Sequence, residues 1–218
     1  WSVPTEFVEM PSKGKFYPNG HPLHNLDTIE IKYMTAKEED ILSDRSLLKK
    51  GIAVDRALQN LIVNKAIKID DLLVGDKNAL LIAARKTGFG PEYTTRVTCP
   101  ACGEVDDYSF DLDDLGHNDF EESMELEEAI LTERNTFKFK LPMTGVEVEC
   151  RMLTGRDESA IAKKTLRKGR KNEESSLLVD TLALMIVSLN GNDDRIQIAQ
   201  FAHQMPARDA RYLRAVSG

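Results

Sequence analysis

The chain has 218 residues, 41% of them hydrophobic and 30% charged, with a formal net charge of −7. That is the composition of an ordinary soluble globular protein, with enough length for one substantial core or two small ones. The acidic balance argues against broad binding to a phosphate backbone, which needs a basic face; no apolar run approaches the roughly 18 residues of a membrane span.

The first 28 residues are punctuated by Pro4, Pro11, Gly14, Pro18, Gly20 and Pro22 and carry Phe7, Phe16 and Tyr17. They read as an extended N-terminal arm, either pinned across its own domain or laid on a partner, with self-docking the stronger expectation. From residue 29 an alternating strand, Ile29 to Tyr33, breaks at Thr35, and Thr35-Ala36-Lys37-Glu38 is a capping box. It opens a helix expected to run through about Lys50 and to close at Gly51. A second helix is expected from about Val54 to Ala66, with Val54, Leu58, Leu61 and Ile62 on one face. A third spans Asn78 to Lys86 and ends at Thr87-Gly88-Phe89-Gly90.

The period then changes from 3.6 to 2. Glu92 to Thr98 and Glu104 to Leu112 read as the strands of a hairpin joined by Cys99-Pro100-Ala101-Cys102-Gly103. An acidic interval from Asp111 to Glu128 follows, read as a solvated face or loop, with a short helical stretch near Met124 to Leu131. Phe137 to Leu141 and Val146 to Cys150 flank a Pro-Met-Thr-Gly turn and form a second hairpin. Helices are then expected from Arg156 to Lys168, from Ser175 to Leu189, and over Ala207 to Ala215.

Ile29-Glu30-Ile31-Lys32-Tyr33-Met34-Thr35-Ala36-Lys37-Glu38-Glu39 recurs, worn, as Val148-Glu149-Cys150-Arg151-Met152-Leu153-Thr154-Gly155-Arg156-Asp157-Glu158, an offset of 119 residues. That spacing is too long for a solenoid repeat of about 20–50 residues and points to two related lobes. The expected fold is therefore α+β: two duplicated lobes, each a short antiparallel strand or hairpin leading into about three helices. The expected boundaries are 1–28 for the arm, 29–90 for the first lobe, 91–112 for the Cys-x-x-Cys hairpin, 113–133 for an acidic linker and 134–218 for the second lobe. A start at Trp1 without Met, and an end at Ser217-Gly218 opposite Thr87-Gly88, suggest that the chain is truncated at one or both ends.

Cys99 and Cys102 are the one sharply chemical signature. A Cys-x-x-Cys on a turn between strands aims two thiolates at one point, which is half of a zinc ribbon, whereas a closed structural zinc needs four ligands. Cys150 aligns with the inward Ile31 and reads as a buried apolar cysteine, and a lone loop His117 reads as surface. Three readings stay open, in falling order: a knuckle without metal, zinc completed by other groups, and redox chemistry, for which the motif sits on a hairpin tip instead of a helix start. Three cysteines without a signal-peptide pattern suit a reducing compartment. No hydrolase elbow, phosphate-cradling loop or His-Glu-x-x-His is present, and the four histidines are scattered, so no enzyme and no small-molecule substrate are expected. The basic run Lys163 to Lys171 suits a helix C-terminus and lacks the interleaved aromatics of a nucleic-acid contact.

Met10-Pro11-Ser12-Lys13-Gly14-Lys15-Phe16-Tyr17-Pro18, Met34 to Leu42, and Arg45-Ser46-Leu47-Leu48-Lys49-Lys50-Gly51 resemble the T4-type bacteriophage baseplate protein family. Val97 to Gly103 and Leu153 to Glu158 also look like that family, so the resemblance spans nearly the whole chain. It implies a contractile-tail phage protein of the baseplate hub, either a virion part or a helper of hub assembly, located in the tail baseplate and in the host cytoplasm during assembly. Its implied partners are other baseplate or tail proteins and copies of itself. Candidate partner contacts are Phe16, Tyr17, Tyr212 and Arg214, each weighed against self-packing. The alternatives are a transient tail-assembly chaperone and a zinc-ribbon nucleic-acid binder. The missing second cysteine pair departs from a complete metal site.

Overall fold

The computed structural model describes residues 2–114, 129–170 and 176–217. Among them the chain is α+β, with eight α-helices and three small antiparallel sheets. β1 (Thr5–Glu9) pairs with β2 (Thr28–Lys32), and Ile62 adds a bridge to Ile31 at the open edge. β3 (Glu92–Thr98) and β4 (Val105–Asp111) form a two-stranded ribbon in unbroken seven-residue register. β5 (Ile130–Leu131), β6 (Phe137–Lys140), β7 (Glu147–Cys150) and β8 (Ile186–Leu189) make the four-stranded sheet in that order.

The expected helix from Thr35 to Lys50 is two helices, α1 (Ala36–Ser43) and α2 (Arg45–Lys50). The break comes from Asp44, which leaves helical geometry and accepts from the amides of Ser46 and Leu47 at 2.7 and 3.0 Å. It caps a new helix in the middle of the old one. Gly51, at φ +69°, closes α2 as expected. α3 (Ala53–Leu61) stops five residues earlier than the periodicity suggests, because Ile62 turns extended to meet Ile31 and Lys65 donates to the carbonyls of Asn60 and Ile62. A 3₁₀ turn at Ile69–Asp71 precedes α4 (Val74–Phe89), which begins four residues before the expected Asn78.

In the second half, α5 (Gly155–Arg170) and α6 (Leu177–Met185) are followed by α7 (Arg195–Gln204) and α8 (Ala207–Ser217). The expected helix from Ser175 to Leu189 ends at Met185. The β-branched Ile186 and Val187 tolerate extended backbone, and the segment pairs with the open edge of β7 instead. α7 has no counterpart among the expected helices. Of the helical stretch expected near Met124 to Leu131, residues 124–128 lie outside the described residues, and Ile130–Leu131 is strand, paired to Phe137 and Lys138.

The two halves follow parallel courses. β1 and β6 both run into x-Pro-x-x-Gly turns, Met10-Pro11-Ser12-Lys13-Gly14 and Leu141-Pro142-Met143-Thr144-Gly145, whose glycines sit at φ +71° and +67°. After β2, the amide and hydroxyl of Thr35 donate to Glu38 at 3.0 and 2.6 Å; after β7, those of Thr154 donate to Asp157 at 2.9 and 3.0 Å. α3 and α6 are each nine residues long and pass directly into an extended isoleucine, Ile62 or Ile186, paired with Ile31 or Cys150. Finally, Asp76 and Asp209 stand at the third position of α4 and α8, both fully buried.

Those two aspartates hold the turns in place. Asp76 accepts from the Ser12 amide at 3.1 Å, the Ser12 hydroxyl at 2.6 Å and the Tyr17 hydroxyl at 2.8 Å. Asp209 accepts from the amides of Met143 and Thr144 at 2.8 and 3.0 Å. Burial pushes the Asp76 carboxyl above its ordinary pKa, and the Ser12 and Tyr17 hydrogen bonds hold that rise back. The Tyr17 phenol, buried beside this carboxylate, is held well above the usual tyrosine range and stays a donor.

One hydrophobic cluster runs through both halves, from Val8 to Val216. The N-terminal segment expected as an arm is part of it: Met10, Phe16, Tyr17 and Leu23 are buried, and Phe16 meets Phe137 of the four-stranded sheet edge-on with ring centroids 6.0 Å apart. Along a backbone seam, Val74 donates to Leu153 and Gly155 donates to Leu72, each at 2.9 Å. Asp71–Arg156 and Lys77–Glu158 pairs flank it at 2.6 and 3.3 Å. Gly155 lets the backbones approach closely here: a Cβ would lie 3.1 Å from the Ile69 carbonyl oxygen, a tight contact that a larger residue would have to relieve by a small shift.

Removing the Tyr17 hydroxyl (Tyr17→Phe) leaves both Asp76 and the Leu73 amide short of a partner, at an expected cost of about 1–3 kcal/mol. Asp76→Asn puts a donor where three donors converge and costs at least as much. Thermal unfolding should fall by about 2–4 °C per kcal/mol, and the double variant should lose less than the sum, since both changes break the same bond. A Gly14→Ala chain should not form this turn at all, because the added Cβ would lie 2.5 Å from the Leu23 carbonyl oxygen and the Leu26 amide nitrogen; limited proteolysis near residue 14 is the readout.

Asp157 sets an acid limit. Its two-pronged pairing with Arg151, at 2.8 and 2.8 Å, and the Thr154 donors lower its pKa to about 2. A lowered carboxyl pKa contributes stability that is complete above the unfolded value near 4 and drains away as pH falls toward 2. Denaturant midpoints of the Asp157→Asn variant should accordingly vary less between pH 4 and pH 2 than those of the parent chain.

Candidate functional site

Local chemistry concentrates at the tip of the β3–β4 ribbon. The Cys99 amide donates to the Glu104 carbonyl at 2.8 Å and the Gly103 amide to the Cys99 carbonyl at 2.9 Å, with Gly103 at φ +74°. This tight reversal is what the trailing glycine permits. The neighbouring backbone amides of Cys102 and Ala101, with the Cys102 thiol, lower the pKa of the Cys99 thiol. Both cysteines are free thiols, and Cys102 is exposed.

Strand alternation gives the ribbon two unlike faces. Tyr93, Thr95 and Val97 lie opposite Phe110, Tyr108 and Asp106, with the Tyr93 and Phe110 rings 5.3 Å apart. The other face pairs Thr94 with Ser109 at 2.7 Å and Arg96 with Asp107 at 3.2 Å. At its base the ribbon is anchored to α4: the Arg85 guanidinium lies 4.7 Å from the centre of the Phe89 ring and 5.8 Å from that of Tyr93, and donates to the Gly90 carbonyl. Lys86 pairs with Asp113 on the far side. An open concavity of about 610 Å³ lies at this base, floored by Phe89, Pro91 and Phe110.

The other expected site residues do not gather there. Cys150 is fully buried in β7, and burial pushes its thiol well above the ordinary range. Phe16 and Tyr17, expected as partner contacts, are only 6% and 1% exposed and are taken up by the protein's own core. Tyr212 is half-buried against Phe139, with ring centroids 5.7 Å apart, and Arg214 is exposed on α8 and donates to the Ala210 carbonyl. His117 lies outside the described residues, as do most of the acidic interval and the last residue of the basic run. Within that run Lys164 is paired with Asp180 at 2.6 Å.

The buried carboxylates are committed to the fold. Glu149 receives Arg134 on both oxygens at 2.8 Å and Thr136 at 2.6 Å; burial would raise its pKa, and the Thr136 hydroxyl with the cations Arg134 and Lys138 brings it below the ordinary value. Asp76 and Asp209 were not singled out by the sequence reading. An aspartate in the first turn of a helix has a sufficient local explanation in the dipole, and the donors of Asp76 lie 59 and 64 residues away.

Among the described residues no helix is long and apolar enough to cross a membrane, and no three His, Cys, Asp or Glu side chains gather as a metal site. Neither the curated proteins nor the solved structures give a match. A family model described as T4 bacteriophage base plate protein matches residues 3–207, nearly the whole chain. The chain therefore belongs to the T4 bacteriophage base plate protein family, a structural component of the phage tail baseplate.

Proposed function

We propose that the protein is a scaffold of the baseplate hub in a contractile tail, acting through protein interfaces and catalysing nothing. The observation that carries this reading is the family match across residues 3–207. The buried carboxylates support it from a second side. Asp76, Asp209 and Glu149 each accept from donors supplied by the fold itself, which engages the oxygens a general acid or base would have to present to a substrate.

The two halves descend, on this reading, from one duplicated module. What supports it is the recurrence of four separate devices in one order: the x-Pro-x-x-Gly turn, the Thr-capped helix, the nine-residue helix ending in a paired isoleucine, and the buried aspartate that grips the turn. Two such lobes present related but unequal surfaces to neighbouring tail proteins. Tyr212 and Arg214 on α8 are contact candidates that remain at the surface.

A nucleic-acid role is disfavoured by the ribbon itself. From Glu92 to Asp111 it carries Glu92, Glu104, Asp106, Asp107 and Asp111 against the single cation Arg96, the wrong sign for a phosphate backbone. In a filter-binding assay the purified protein should retain no DNA or RNA even at low salt.

Mass spectrometry of purified tails decides between scaffold and helper. The protein should appear in finished particles in fixed proportion to other baseplate proteins. Its presence in infected-cell extracts and loss from purified tails would establish a transient assembly chaperone and overturn the scaffold reading.

A further inference from the structure

We propose that the aromatic face of the β3–β4 ribbon is a docking surface for an extended, arginine- or lysine-bearing segment of a neighbouring tail protein. The rings of Tyr93, Phe110 and Tyr108 form one row, with successive centroids 5.3 and 6.0 Å apart, and strand alternation sets Thr95 and Val97 beside them. Tyr108 and Val97 are 61% and 49% exposed, and the ribbon's side chains stand outside the hydrophobic cluster that joins the two halves. A contiguous row of exposed rings, carried on an element outside the core, marks a contact with another molecule.

Two observations name the occupant. The first is Arg85, whose guanidinium lies 4.7 Å from the centre of Phe89 and 5.8 Å from that of Tyr93. The chain itself shows that rings of this row take a planar cation. The second is charge. Carboxylates stand at both ends of the row: Asp106, opposite Val97, near the tip, and Glu92, opposite Asp111, at the root beside the concavity floored by Phe89, Pro91 and Phe110. From Asp106 to Asp111 the strand covers about 17 Å, the length of an extended segment of about six residues. Glu92 and Asp111 are like charges directly across the ladder, which costs the free ribbon stability and which a cation lying between them offsets. A second ribbon would bring the same sign of charge, and so would the chain's own residues 115–128, with six carboxylates and no Lys or Arg. A basic segment of another protein brings the opposite sign together with apolar side chains for the rings. The inference rests on the baseplate reading for where that protein comes from.

The test is photo-cross-linking of the full-length protein carrying p-benzoylphenylalanine in place of Tyr108, in infected cells and in purified tails, with the joined peptides sequenced by mass spectrometry. The expected product joins Tyr108's position to a segment of a different tail protein with Lys or Arg on either side of apolar residues. The same probe at Val105, on the opposite face, should give far less of it. Glu92→Lys should lower the yield roughly tenfold, the equivalent of about 1.4 kcal/mol, and added salt should lower it in the parent. The same substitution replaces a repulsive cross-strand pair by an attractive one, so the thermal midpoint of the free protein should stay level or rise while the contact is lost. Asp106→Lys is the second charge variant. A product joined to another copy of this chain, to its own residues 115–128 or to a segment without cations would overturn the proposal, as would a yield indifferent to Glu92→Lys. Loss of the protein from purified tails with the product retained in infected cells removes the scaffold reading and leaves this one standing. Its presence in tails without the product does the reverse.

Discussion

A single carboxylate joins three parts of this protein that are far apart in the chain. Asp76 takes hydrogen bonds from Ser12 and Tyr17 and has no ion pair among the described residues, so its charge is held by oriented donors and by the positive end of α4. Hydrogen bonds to an ionised acceptor contribute about 1.5–3 kcal/mol each, a large part of which is offset by taking the carboxylate out of water. The net gain matters less than the geometry it enforces. Tyr17 spans the gap, donating to Asp76 and accepting from the Leu73 amide at 3.1 Å. Directly beside that amide, Leu72 and Val74 form the backbone seam with Gly155 and Leu153. Position of the N-terminal turn, start of α4 and approach of the second half are thus settled by one buried polar cluster.

The second half uses the same device with fewer parts. Asp209 grips its turn through two backbone amides alone, and the connection from β6 to β7 needs six residues, against eighteen from β1 to β2. The extra length holds Phe16 and Tyr17. One ring crosses to Phe137 and the other completes the Asp76 cluster. The longer connection therefore ties both halves into one core, and a core grows more effective as it grows larger.

What the sequence disclosed follows the range of the forces involved. The capping signals at Thr35 and Thr154, the αL glycine at position 51 and the period-2 pattern of the ribbon are local, and each stands where its residues indicate. The break at Asp44 is also local but ambiguous, because an aspartate inside a helical pattern can be a solvent-facing residue or a cap. Non-local outcomes were hidden. Ile186 to Leu189 continues a helical periodicity and becomes a strand only because Cys150 and Glu149 offer it an unpaired edge. Phe16 and Tyr17 read as anchors for a partner; Phe16 finds Phe137 of the second half, and Tyr17 finds the Asp76 cluster of its own half. At the candidate site, the cysteine turn was legible from its spacing and glycine, while the ribbon's exposed aromatic face emerges only once the register places Tyr93 beside Phe110 and Thr95 beside Tyr108.

The ribbon differs from the rest of the molecule in how it is held. Elsewhere apolar side chains from both halves meet in one cluster, whereas β3 and β4 are fixed at one end, where Arg85 clasps Phe89, Gly90 and Tyr93 and Lys86 meets Asp113. A short antiparallel ribbon clamped at its root transmits the orientation of α4 to its tip. α4 is in turn oriented by Asp76 at its other end, so the cysteine turn is aimed by the same cluster that joins the two halves. An element appended at this point inherits a defined direction from the core without contributing to it, which leaves its apolar face free to serve an assembly contact.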